Sequence, residues 1–180
     1  MVTSIQTNNR FINNINEGKN ISDIVAILTR PLIKETCTQV SFSYGDELCL
    51  DFGVLTPEDH PKLQGLLKGS WQLGTRATPW LLKKAGQILL DSEKPETGDE
   101  IKNAKKLTQD SLVNKKILKF EVNSDNLELQ ILFEDDYELI LQPDLEDLDL
   151  SYWDLFMPND KVLEVGAGYF WSCKSVHDRY

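Results

Sequence analysis

A chain of 180 residues, 41% apolar and with four tryptophans, has enough material for a packed core, and that composition excludes global disorder. Its apolar runs last only a few residues, far below the roughly 20 that cross a bilayer, and the opening MVTSIQTNNRFINNINEGKN lacks the apolar stretch of a secretory leader. The formal net charge of -10 is polarised: residues 121–160 hold thirteen acids and no Lys, Arg or His, while residues 61–120 hold twelve basic residues against six acids.

That acidic quarter repels nucleic acid and favours a basic protein partner or a cation. Cys37, Cys49 and Cys173 are odd in number, scattered and free of C-x-x-C spacing. They argue against a disulfide framework or zinc ribbon and fit a reducing cytoplasm.

In chain order, the first periodic segment is a helix from Ile21 to Ile33, with Ser22 as its cap, Ile24, Val25 and Leu28 on one face, and Pro31 at its end. Val40, Phe42 and Tyr44 then alternate with polar residues, Gly45-Asp46 turns the chain, and Leu48, Leu50 and Phe52 return, which predicts a hairpin. After a loop with Pro57 and Pro61, Trp71 and Leu73 mark one strand, Trp80 and Leu82 a second, and Ile88 and Leu90 a third.

Residues 91–100 are polar and read as a connector. A second helix follows, with Asp99 as its cap and Ile101, Ala104 and Leu107 at helical spacing. Leu118, Phe120 and Val122 form the next strand, Leu127 to Phe133 the return, and Tyr137, Leu139 and Leu141 a third. Beyond an acidic loop, Trp153 and Leu155 make a strand, Pro158-Asn159-Asp160 a turn, and Val162 to Val165 its partner.

The order of events therefore recurs about eighty residues apart, with Val40–Phe52 matching Phe120–Ile131 and Trp71 set opposite Trp153. The expected fold is α+β and predominantly antiparallel, with two similar helix-plus-meander halves sharing or abutting one core. The halves run over residues 1–90 and 101–180, joined by 91–100.

Motifs for catalysis are sparse. KVLEVGAGYFW at 161–171 looks like the first motif of Rossmann-type methyltransferases, but a hairpin turn precedes it and only twelve residues follow Gly168, too few for a βαβ crossover. The expectation is a bulge or tight turn at Gly166 and Gly168 that aims Phe170 and Trp171 into the core. The run Asp144-Leu145-Glu146-Asp147-Leu148-Asp149 lacks the central Gly and flanking helices of a calcium loop. It reads as a solvated loop, or as carboxylates of Asp144, Glu146, Asp147 and Asp149 offered to a partner's Lys and Arg.

The two histidines, His60 and His177, have no nucleophile elbow beside them, and Cys173 with His177 makes no triad. No catalytic residue, metal or cofactor is assigned. Trp71, Trp80, Trp153 and Trp171 read as core. Arg76 is expected to stack on Trp71 or Trp80, or to pair with an acid from the other half.

Residues 112–171 resemble small bacterial domains, some of them grouped with immunity proteins of toxin systems. The resemblance is carried by Leu127, Leu129 and Ile131 in one hairpin and by Trp153, Leu155, Pro158, Leu163 and Val165 in the late segment. It covers about a third of the chain, implies fold more than activity, and transfers no catalytic residue.

The function expected is thus non-catalytic binding or inhibition, with an acidic face docking a basic protein partner and no nucleic acid or membrane involved. One rival is a small-molecule binder or enzyme with a pocket between the halves lined by Trp71, Arg76, Trp80 and His60. Another is an assembly subunit, a homodimer paired through an exposed sheet edge.

Overall fold

The computed structural model describes residues 20–43, 47–58, 61–76, 78–147 and 151–178. The fold is α+β with two short helices and antiparallel sheets. No helix among the described residues is long and apolar enough to cross a membrane.

Helix α1, Ile21–Thr29, buries Ile21, Ile24 and Val25 and passes into a single 3-10 turn that accommodates Pro31. Its cap is Asn20, whose side-chain oxygen accepts from the Asp23 amide at 2.9 Å, rather than Ser22. Helix α2, Gly98–Leu112, is capped two residues before the expected Asp99, by a reciprocal pair. Thr97 Oγ1 accepts from the Glu100 amide, and the Glu100 carboxylate accepts from the Thr97 amide. Asp99 sits instead in the first turn, where its charge suits the helix dipole.

Strands β1, Cys37–Phe42, and β2, Leu48–Phe52, form the expected hairpin, although its turn at 44–46 lies outside the described residues. Two short strands, β3, Thr56–Pro57, and β4, Leu67–Lys68, pair with each other in an excursion. Then come β5, Trp71–Gly74, β6, Trp80–Lys84, and β7, Gln87–Asp91. After α2 follow β8, Ile117–Val122, β9, Leu129–Phe133, β10, Tyr137–Leu141, β11, Ser151–Met157, β12, Lys161–Gly166, and β13, Phe170–Ser175.

The six-stranded sheet runs β1-β2-β5-β11-β12-β13, and the five-stranded sheet runs β8-β9-β10-β6-β7. Each sheet is the three-stranded meander of one half extended by the hairpin of the other. The helices are exchanged too: α1 packs on β8 and α2 on β1. Trp80, first residue of β6, is therefore the counterpart of Trp153 in β11, and the expected match of Trp71 with Trp153 does not hold.

The two meanders join at their starts through hydrogen bonds related by an eighty-residue offset. Lys34 N donates to Ile117 O and Asn114 N to Cys37 O, both at 2.8 Å. Cys37 N donates to Lys115 O and Ile117 N to Glu35 O, at 2.8 and 2.9 Å. Each meander carries a bulge at the same place, between Cys37 and Gln39 and between Ile117 and Lys119. The repeat is thus built into the backbone and not only into the apolar pattern.

Both sheets close over one core. Leu50, Leu73, Leu155 and Leu163 come from the first, and Leu82, Ile131, Leu139 and Leu141 from the second. Phe120 meets Trp153 edge-to-face across the layers, with ring centroids 6.0 Å apart and planes at 78°. The chain departs from its own repeat in two places. The excursion at 53–70 stands where β9 reaches β10 through the three residues 134–136, and β13 adds an outer strand to one sheet only.

Candidate functional site

Because the hairpins are exchanged, the chain crosses between sheets twice, from β5 to β6 and from β10 to β11. The crossings touch. Gln142 N donates to Pro79 O at 2.8 Å, and Thr78 Oγ1 donates to Tyr152 O at 2.6 Å. Between them lies a cleft of about 210 Å³ lined by Arg76, Thr78, Asp144, Asp147, Ser151 and Tyr152.

Arg76 is held from both ends. Its backbone is left-handed, with φ at 49°, and its amide donates to the Glu47 carboxylate at 2.7 Å. Its guanidinium donates from Nε to Asp154 Oδ2 at 3.0 Å and makes a second contact to the same oxygen. Asp154 is buried on β11 opposite Gly74, and a Cβ on Gly74 would come within 2.8 Å of Asp154 Oδ1. A side chain at position 74 would therefore push the Asp154 carboxylate from its place beside Arg76. Burial works against the Arg76 charge, but Asp154 and, further off, Glu47 and Glu164 outweigh it and raise its pKa above the ordinary value.

Of the two partners expected for Arg76, the acid from the other half is the one in contact. Trp71 and Trp80 point into the core and do not line this cleft. Trp80 also borders a separate hollow of about 110 Å³ beside Phe42, Leu90 and Ile101. His60 lies outside the described residues.

The acidic loop is folded back on itself. Asp144 Oδ1 accepts from Glu146 N at 2.9 Å, Asp147 N donates to Asp144 O at 3.1 Å, and Tyr152 Oη donates to Asp147 O at 3.2 Å. Asp144, Glu146 and Asp147 are exposed, and Asp149 lies outside the described residues. Burial first, then the carboxylates of Asp147 and Asp144, pushes the Tyr152 hydroxyl above its ordinary value. Arg76, Asp144 and Asp147, from different parts of the sequence, thus share one cleft.

Other acids of the same quarter face cations. Asp135 pairs with Lys115, Glu121 with Lys119 at 2.7 Å, and Asp154 with Arg76, while Glu138 stands across from Lys83. Asp135, Glu121 and Asp154 are therefore bridged by cations from residues 61–120 and add nothing to an unneutralised face.

The thiols are poor nucleophiles. Burial, then the nearby Asp51 carboxylate, pushes the Cys37 thiol up to about 12, and burial raises Cys49 and Cys173 as well. Cys173 sits on β13 and His177 in a 3-10 turn beyond it, so helical spacing does not align them. No group of three His, Cys, Asp or Glu suited to a metal occurs among the described residues. The turn at Gly168, with φ at 66°, leaves Phe170 half exposed and only Trp171 packed against the core, which corrects the expectation for that pair. The residues missed from sequence are Glu47 and Asp154, because nothing in a linear pattern marks an acid as the buried partner of an arginine 78 residues away.

No family model, curated protein or solved structure matches the chain.

Proposed function

We propose that this is a non-catalytic binding protein of the inhibitory, immunity-like kind, which docks its acidic crossover loop onto a basic patch of a protein partner. The observation that supports this reading is the state of Asp144 and Glu146. Both are exposed, neither makes an ion pair among the described residues, and the loop is pinned by hydrogen bonds at Gln142 and Tyr152. The backbone that presents both, and the Asp144 carboxylate itself, are held in place, which lowers the entropy lost on meeting Lys or Arg. The resemblance of residues 112–171 to immunity-type domains points the same way.

The test is to recover the partner by cross-linking from the native cell and then measure association rates against ionic strength. A partner lacking a basic contact surface, or a rate indifferent to salt, removes the reading.

A second reading, a homodimer, draws on a separate observation. The outer strand β7 exposes Ile88 by 56% and Leu89 by 40%, with no charge before Asp91. Exposed apolar edges of this kind invite pairing with another copy. Sedimentation over a range of concentrations tests it, and a monomer throughout eliminates it.

A further inference from the structure

A cleft of about 550 Å³ lies away from the crossovers, on the outward face of the six-stranded sheet. Its floor is Gln72 of β5 beside Phe156 of β11, register partners that both face away from the core. One wall is the β3–β4 excursion, with Thr56, Lys68 and Ser70. The other is the β11–β12 turn, with Pro158 and Asp160, and Val176 just beyond β13. The cleft is thus bounded by the excursion and by the end of β13, the two places where one half has no counterpart in the other. The repeated scaffold alone does not make it.

The site is built rather than incidental. Asp51, buried beneath it, accepts from the Gly69 amide at 2.8 Å and from Gln72 Nε2 at 2.9 Å, which pins the excursion to the sheet and fixes the amide. With Nε2 so committed, Gln72 offers Oε1 as an acceptor. Gly69 admits no side chain, since a Cβ would stand 2.7 Å from the Phe52 amide nitrogen.

The lining decides what chemistry fits. Among the described lining residues Lys68 is the one cation, and it is paired with Glu58 at 3.4 Å, so these residues offer an anionic ligand no surplus positive charge. The Ser70 hydroxyl donates to Val54 O at 3.3 Å, so Ser70 Oγ, Gln72 Oε1 and the Asp160 carboxylate are acceptors, with the Thr56 hydroxyl beside them, above a partly apolar floor of Phe156 and Pro158. A volume within about 300–1,000 Å³ suits a small ligand of a few rings. We propose that this cleft binds a neutral saccharide unit, with ring C–H groups on Phe156 and hydroxyls shared among Gln72, Ser70 and Asp160. This is independent of the docking loop.

The full-length chain is titrated by amide-detected NMR with glucose, N-acetylglucosamine, maltose and cellobiose, with lysine and inorganic phosphate as charged probes. The expected result is binding of at least one sugar with Kd of about 1 mM or tighter, with shifts centred on Gly69 and Ser70. Asp160→Asn, at an exposed turn that asparagine tolerates, and Phe156→Leu each weaken that binding about tenfold or more. Equal melting of variants and wild type separates this loss from misfolding. Absence of sugar binding, shifts elsewhere on the surface, a preference for the charged probes, or sugar affinity unchanged in both variants overturns the proposal.

Discussion

Lys34 and Asn114 occupy the same station in the two halves. Each follows its helix, each is left-handed, with φ at 78° and 67°, and each donates its amide to the first residue of the other half's leading strand. The left-handed region costs a β-carbon-bearing residue about 1–2 kcal/mol, and Asn far less than Lys. Lys34→Gly is therefore expected to raise stability by about 0.5–1 kcal/mol, whereas Asn114→Gly changes it little. Paired urea denaturation curves check this, and equal effects at both stations would contradict the strain argument.

Breaking the Arg76–Asp154 pair is a sterner test. Arg76→Ala leaves a buried carboxylate without its cation. A fully buried pair would cost about 3–5 kcal/mol, but the Arg76 side chain is 39% exposed, so water replaces part of it. The expected loss is about 2–3 kcal/mol. Arg76→Lys keeps the charge but not the fork and falls between. A melting point unmoved by Arg76→Ala would show that the crossing is held by other bonds.

Alkaline pH supplies a third prediction. The Cys37 thiol is raised from 9.0 to about 12 on folding. Between those values the unfolded chain has lost that proton and the folded chain still holds it. Stability is intact below pH 9 and falls as pH rises towards 12, by at most about 1.4 kcal/mol per unit. Cys37→Ala lowers stability overall through the lost packing but should flatten this slope. A slope equally steep in the variant would place the titrating group elsewhere.

For the acidic loop, Asp144→Asn retains the side-chain oxygen that accepts from Glu146, so it removes charge without opening the turn. Combined with Glu146→Gln, it is expected to slow association with a basic partner by about tenfold at low salt and hardly at all at high salt. Folding stability should stay within about 0.5 kcal/mol of wild type. An association rate that ignores the double substitution rejects the docking surface.

Much of the architecture was written in local pattern. Leu48, Leu50 and Phe52, or Leu129, Ile131 and Phe133, alternate with polar or half-buried neighbours because one face of each strand meets the core. Alternation says nothing about which sheet a strand joins. Trp71 and Trp80 look alike in sequence, yet the five residues between their strands carry the chain from one layer to the other. That crossing misaligned the tryptophans of the two halves and hid the meeting of Arg76 with Asp144. The helix starts shifted for a local reason: Asn20 and Thr97 reach the third amide beyond them, which outweighs the later Ser22 and Asp99.

The exchanged hairpins also govern the order in which the molecule can be assembled. A nascent chain emerging as far as Asp91 has made β6 and β7, but their neighbour β10 has not yet been synthesised. That ribbon must wait in solvent until the second meander arrives, and the second half's last hairpin then docks on strands finished long before. Severing the link at 92–97 should accordingly give two fragments that are each incomplete alone and recover the whole by lacing into one another, as two parts of a dovetail do.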